Sequence, residues 1–117
     1  MRGHGQTLVE RWWPLAAIII VVVTMMITVA HVLAATAVAV DVKDFTFSPL
    51  SVTVPAGTTV TWTNHDPLRH TVTATAGRFD SKALRNGETF AQTFTQAGTY
   101  QYFCALHPQM QATVVVK

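Results

Sequence analysis

Apolar and polar residues alternate along most of the chain after Ala37, with the period of two that a β-strand produces. Such strands bury one face and leave the other in contact with solvent. The apolar positions fall in the stretches Val38–Val42, Val52–Val54, Val60–Trp62, Phe90–Phe94, Tyr100–Tyr102 and Val114–Val116. Turn-forming residues separate them, at Ser48-Pro49, Pro55-Ala56-Gly57, Asp66-Pro67, Asn86-Gly87 and Ala97-Gly98.

These strands predict an all-β domain over residues 38–117. Seven to eight short strands in a chain of this length are typical of an antiparallel Greek-key β-sandwich, whose core lies between two sheets. No stretch shows a sustained period of 3.6 residues, and the only helical turn that we expect is at Asp80–Leu84. The single cysteine rules out an internal disulfide, so a bound metal is the obvious additional source of stability.

A long apolar segment precedes this domain. Leu15–Ala30 carries no charge, and Arg2 and Arg11 stand before it, a pattern that enters a membrane with its N-terminus in the cytoplasm. We therefore interpret residues 1–37 as a signal peptide or signal-anchor and expect the domain to be periplasmic or otherwise extracytoplasmic.

Two features of this segment point in opposite directions. Trp12 and Trp13 suit a membrane interface and favour an anchor, whereas the small residues Ala35–Ala37 favour cleavage by a signal peptidase. We favour cleavage because the first strand follows at once, with no linker to lift an anchored domain off the bilayer. If the segment is not cleaved, it is the only part of the chain that we expect to contact the membrane.

The charge of the domain is nearly balanced. Its basic residues are Lys43, Arg69, Arg78, Lys82, Arg85 and Lys117, and its acidic residues are Asp41, Asp44, Asp66, Asp80 and Glu88. No basic stripe with interleaved aromatic residues is present, so we do not expect a nucleic acid as a partner.

Candidate metal ligands are concentrated near the C-terminus. Alternation places Cys104 on the inward face of the strand that contains the two tyrosines. The chain must then turn before the last strand, and we predict a tight loop at Ala105–Gln109 in which Pro108 restricts the backbone. That loop can direct the side chains of Cys104, His107 and Met110 to one point.

A fourth ligand must come from elsewhere in the chain. His70 follows a turn and opens the segment His70–Ala74, and neighbouring strand ends of a sandwich lie close together. Two imidazoles, a thiolate and a thioether favour copper, since a His₂Cys site with a weak axial Met is an electron-transfer copper centre and zinc rarely binds Met. Met110 has the alternative of merely filling core space.

Three motifs in these segments resemble those of a known family. The patterns C-x-x-H-x-x-M, G-T-Y-x-Y-x-C and V-T-W-x-N-x-D-x-x-x-H are similar to those of the small blue copper proteins, the cupredoxins, and closest to the amicyanin/plastocyanin-like group. The resemblance covers nearly all of residues 38–117. It implies a cupredoxin-like fold with one copper ion per chain, bound by His70, Cys104 and His107 with Met110 as axial ligand.

The resemblance also concerns residues around the ligands. It implies that Asn64 braces the ligand loop. Thr71 and Ala105 differ from the residues that are common after the first histidine and after the cysteine, so the reduction potential of relatives does not transfer to this chain.

The leading hypothesis for function is a type 1 copper protein that carries single electrons. We expect a monomer that meets redox partner proteins near His107, through an apolar patch formed by Leu68, Leu106 and Pro108. The alternatives are an extracytoplasmic copper chaperone or scavenger and an interaction module with a structural metal. We do not predict an enzyme, because copper oxidases and reductases with this fold need further copper sites whose histidines are lacking here.

Overall fold

The computed structural model describes residues 36–117, and all the regular elements in this part are β-strands. The strands are β1 (Ala37–Lys43), β2 (Thr46–Ser48), β3 (Ser51–Val54), β4 (Thr58–Asn64), β5 (Thr73–Ala74), β6 (Thr89–Phe94), β7 (Gly98–Cys104) and β8 (His107–Val116). The predicted all-β sandwich of seven to eight strands is confirmed. Residues 1–35, which hold most of the predicted export segment, lie outside the described residues. Within the described range, no helix is long and apolar enough to span a membrane.

The helical turn predicted at Asp80–Leu84 is wrong. Asp80 forms an isolated bridge with Thr73, and Leu84 forms one with His70. The segment therefore runs alongside β5 and the residues before it, because its backbone groups pair with that part of the chain instead of along their own segment.

The strands form two four-stranded sheets, in the orders β2-β1-β4-β6 and β3-β8-β7-β5. Both sheets are mixed, since β1 pairs with β4 and β3 pairs with β8 in parallel. The expectation of purely antiparallel sheets is therefore wrong. Between β1 and β4 the chain crosses to the second sheet, where it forms β3. A crossover of this kind lets β4 run in the same direction as β1.

The core lies between the sheets, and Trp62 is at its centre. The ring of Trp62 is fully buried and packs near Phe79, Phe90, Phe94 and Tyr102, at centroid distances of 5.4–6.4 Å. The strict alternation of burial along β4 reproduces the alternation in its sequence. This packing fixes both sheets near the point where β4 ends, at the buried Asn64.

Candidate metal centre

A tight hairpin brings Cys104 and His107 together. β7 ends at Cys104 and β8 begins at His107, so Ala105 and Leu106 alone form the turn, and the cysteine and histidine face each other across it. Of the loop predicted at Ala105–Gln109, only Ala105 and Leu106 lie outside the strands, and the register shift next to Cys104 leaves residues 108–110 of β8 without partners on β7. The Cys104 Sγ lies 3.7 Å from the His107 Nδ1.

His70 reaches the same point from a segment distant in sequence. It does not open a strand, as predicted, but lies in the connection between β4 and β5. Two backbone hydrogen bonds with Leu84, of 3.2 and 2.7 Å, hold it in place. Its side chain is fully buried, and its Nδ1 lies 3.7 Å from the Cys104 Sγ.

The donor atoms of His70, Cys104 and His107 all lie within 4.8 Å of one another. Metal bonds of about 2.0–2.3 Å, typical of imidazole nitrogen and thiolate ligands, place neighbouring donors at separations near the observed 3.7 Å. Met110 is buried and lies on the inward face of β8, three residues beyond His107. The four predicted side chains are thus positioned as a copper site, at the end of the sandwich where β7 and β8 meet.

Asp66 orients the imidazole of His70. Its Oδ2 lies 2.8 Å from the His70 Nε2, so this nitrogen is the donor and Nδ1 is directed towards Cys104. Burial tends to raise the pKa of Asp66, but the backbone N–H groups of Phe45 and Asp44, together with His70, hold that pKa below its ordinary value. A carboxylate therefore remains beside the histidine at neutral pH.

Thr71 connects the two segments that carry the donor atoms. Its backbone N–H donates to the Cys104 Sγ at 3.3 Å, and its Oγ1 accepts a hydrogen bond of 2.7 Å from the Ala105 N–H. Hydrogen bonds to a thiolate stabilise its charge and tune a bound metal. A residue that the sequence shows only as a departure from the family pattern is thus a structural link between ligands.

Asn64 braces a different segment from the one expected. Its side-chain amide donates to the carbonyls of Leu68 and Leu84, both at 2.9 Å, and its Oδ1 accepts from the Asp66 N–H. It therefore holds the connection that leads to His70, and it makes no hydrogen bond to the turn between Cys104 and His107.

Phe45 also contacts the candidate ligands, and nothing in the sequence indicated this residue. Its ring meets those of His70 and His107 edge-on, at centroid distances of 5.1 and 4.9 Å. It lies in a turn whose dipeptide is not a usual turn signal, so no local pattern could have identified it. Asp66 could have been found, since it falls within the motif quoted above, four residues before His70.

His65 is not part of the site. Its Nε2 lies 3.0 Å from Asp41 Oδ1, and both side chains are largely exposed. The Asp41 contact and this exposure set His65 apart from the converging donor atoms. Within residues 36–117, His70, Cys104 and His107 form the one group of three His, Cys or acidic side chains whose donor atoms converge.

Comparison with known proteins gives one consistent family. The sequence model of one protein family, the cupredoxin-like domain, matches residues 16–116. Amicyanin from Paracoccus denitrificans is 36% identical over 86 residues, which cover 69% of this chain and 66% of that protein. The chain thus spans just under two thirds of the length of this relative.

Solved structures show the same similarity. A reduced tryptophan-to-tyrosine mutant of amicyanin superposes with a TM-score of 0.67 at 32% identity, over 75% of this chain and 89% of the mutant. A copper-containing nitrite reductase from Thermus scotoductus SA-01 also has a TM-score of 0.67, at 30% identity, but the similarity covers only 23% of that chain.

Proposed function

The chain belongs to the cupredoxin-like family of small blue copper proteins, and from this membership we propose that it carries single electrons. The residues that would hold the copper are His70, Cys104 and His107, and Met110 would add a weak thioether donor. The observation that supports this most directly is the position of the Cys104 Sγ, 3.7 Å from the Nδ1 atoms of both histidines.

The donor set matches the chemistry of electron transfer. A copper ion bound there supplies a one-electron couple between Cu(I) and Cu(II). The protein contributes rigidity, since Asp66 orients His70 and Thr71 ties the Cys104 sulfur to the opposite segment. Ligands held in this way move little when the charge of the site changes, which favours rapid transfer.

Electrons leave and enter through His107. Its side chain is half-buried, whereas those of the other two donors, His70 and Cys104, are fully buried. Leu68 and Leu106 are 53% and 52% exposed, and Pro108 is also exposed. We assign to these three residues the apolar docking patch for a redox partner protein, which suits a domain with nearly balanced charge.

The protein works outside the cytoplasm as a monomeric carrier, not as an enzyme. The predicted export segment, residues 1–37, supports this location, as either a cleaved signal peptide or an anchor. The similarity to nitrite reductase covers less than a quarter of that enzyme. This partial similarity therefore supports a common fold and not a common reaction. The presence of one group of converging donor atoms in residues 36–117 supports a single-copper carrier.

The first experiment tests the metal. The exported domain is expected to bind one copper ion and to show an intense blue absorption from the Cys104 thiolate, which Cys104→Ala abolishes. The matched control is His65→Ala, which removes an exposed histidine and should keep the colour. A colourless protein that prefers zinc, or colour that survives the cysteine substitution, would contradict the proposal.

The second experiment separates a carrier from a copper chaperone or scavenger. Voltammetry of residues 38–117 should give a reversible wave, and the copper should stay bound through repeated cycles in the presence of a chelator. A chaperone instead hands its copper to the chelator on mixing. Rapid loss of copper without a reversible wave would favour the chaperone, and metal-free folding with partner binding would favour an interaction module.

A further inference from the structure

The turn between β1 and β2 places a bulky side chain where the backbone favours glycine. Asp44 and Phe45 form a two-residue hairpin turn, closed by the pairing of Lys43 with Thr46. Their φ angles are +52° and +58°. A turn with positive φ at both central positions strongly favours Asp-Gly or Asn-Gly, and a Phe at the second position is strained.

The strained turn is tied directly to a ligand residue. The Asp66 carboxylate accepts hydrogen bonds from the Asp44 N–H at 2.7 Å and the Phe45 N–H at 3.0 Å. The same carboxylate contacts the His70 Nε2 at 2.8 Å. The buried Asp66 therefore sets the position of the turn relative to the His70 ring.

The ring of Phe45 covers the space between the two imidazoles. Its plane stands at 87° to the His70 ring and at 82° to the His107 ring, and the two imidazole centroids are 4.9 Å apart. Edge-to-face contacts of this kind are favourable beyond the area that they bury. Yet Phe45 remains 43% exposed, so ordinary core packing does not explain why a large ring occupies this position.

We propose that Phe45 is a positioning residue that holds both imidazoles over Cys104 and closes the site against solvent. Local strain that persists where a glycine would fit well is expected at functional positions. When His107 cannot swing outward, the Cys104 sulfur stays covered and a bound metal leaves slowly. The copper part of this inference rests on the proposed function, whereas the covering of Cys104 does not.

The metal-free protein provides the first test. Cys104 is fully buried, so its alkylation by iodoacetamide reports local opening of the site. Phe45→Ala keeps a Cβ at the same positive φ and removes only the ring. We expect alkylation about tenfold faster than in the wild type. A factor of this size corresponds to losing part of the interaction energy of the two aromatic contacts. Phe45→Tyr should restore the slow rate.

Phe45→Gly separates positioning from general stability. Glycine relieves the strain of the turn, so this variant should resist urea at least as well as Phe45→Ala. It lacks the ring, so its Cys104 should nevertheless be alkylated as fast as in Phe45→Ala. Leu50→Ala, which truncates another exposed apolar residue just beyond β2, is the matched control and should leave the rate unchanged.

The copper-loaded protein provides the second test. Phe45→Ala and Phe45→Gly should both lose copper to a chelator about tenfold faster than the wild type, and Phe45→Tyr should not. Wild-type rates of alkylation and copper loss in both variants would overturn the inference. Fast rates in Phe45→Ala with wild-type rates in Phe45→Gly would also overturn it, because strain and not the ring would then be the cause. If the wild type binds no copper, the proposed function fails while the alkylation assay still decides the role of Phe45.

Discussion

Among single residues, Thr71 shows how one side chain links two ligand segments. Its hydroxyl accepts from the Ala105 N–H, immediately after Cys104, and also lies 2.8 Å from the Thr73 hydroxyl. A partly buried backbone N–H that loses its acceptor costs more free energy than an average hydrogen bond contributes. The Thr71 hydroxyl therefore stabilises the turn that carries the cysteine and His107.

Thr71→Val should destabilise the metal-free protein by about 1–3 kcal/mol, because it keeps the branched shape and leaves the Ala105 N–H without its acceptor. Each kcal/mol lowers the melting temperature of a domain of this size by about 4–8 °C. Thr59→Val is the control, since it removes an exposed hydroxyl bonded to Thr93 and should change stability by no more than about 0.5 kcal/mol. Calorimetry of both variants checks this, and equal melting temperatures would contradict it.

Met110 is the proposed ligand whose contribution should depend most on the oxidation state of the metal. A thioether in the axial position donates weakly to Cu(II), and removing that donation disfavours Cu(II) more than Cu(I). Met110→Leu is therefore expected to keep the blue copper and to raise the reduction potential. A rise of about 60 mV corresponds to a tenfold change in the ratio of the two affinities.

Voltammetry of Met110→Leu measures this shift. The control is Val114→Ala, which alters the same buried face of β8 farther from His107 and should lower stability without moving the potential. An unchanged potential in Met110→Leu would mean that Met110 only fills the core and that the copper has three ligands.

At the scale of elements, the segment between β5 and β6 owes its path to a local carboxylate. Lys82 has a φ of +60°, and its N–H donates to the Asp80 Oδ1 at 2.9 Å. The Thr73 hydroxyl of β5 donates to the same oxygen at 3.3 Å. This carboxylate replaces the helical turn predicted for the segment, because it bonds the backbone in a non-helical conformation.

The contribution of Asp80 to stability should depend on pH. The Lys82 N–H, more than any other group, holds the pKa of Asp80 below its ordinary value of 3.8. Because the folded pKa is below the unfolded pKa, the stabilisation is present above about pH 4 and is lost as the pH falls through the folded pKa. The side chain is 40% exposed, so we expect no more than about 0.5 kcal/mol after screening by solvent.

Urea unfolding of the wild type and Asp80→Asn, at pH 7 and near pH 3, checks this prediction. The difference between the two proteins in the free energy of unfolding should be larger at pH 7. Other carboxylates affect both proteins alike and cancel in the difference. A difference that is the same at both pH values would contradict the prediction.

At the scale of the whole molecule, the two sheets bring distant segments to one end of the sandwich. β7 runs from Gly98 to Cys104, so its first residues and the turn at Ala97 lie at the opposite end from the donor atoms. Exposed leucines accompany the donors at Leu68 and Leu106. Within residues 36–117, the proposed route for electrons therefore lies at the end of the sandwich that carries the donor atoms.

Leu68→Lys or Leu106→Lys should slow electron exchange with a redox partner protein. A charge placed in an apolar interface is expected to cost about 1.4 kcal/mol or more, which is roughly tenfold in rate or affinity. The blue absorption and the potential should change little, because neither leucine is a ligand. Ala97→Lys is the control at the far end of β7, and stopped-flow measurements that show equal slowing in all three variants would contradict the assigned patch.

Local patterns in the sequence determined the strands and the donor types. The alternation at Val60 and Trp62 predicts β4, because a strand exposes its faces with a period of two whatever it packs against. Cys104, His107 and Met110 lie within one hairpin, so their spacing alone indicates a shared site. Even there the sequence predicted too long a loop, since the pairing of Cys104 with His107 depends on the register of two strands.

The tertiary structure decided which distant groups meet. The parallel pairing of β1 with β4 depends on a crossover through the other sheet, which no local pattern encodes. The contact of Asp66 with the turn at Asp44 and Phe45 joins segments more than 20 residues apart. The edge contacts of Phe45 with His70 and His107 then follow from that placement. The physical reason is that alternation and ligand type are properties of short segments, whereas the closing of the site depends on the packing of the two sheets.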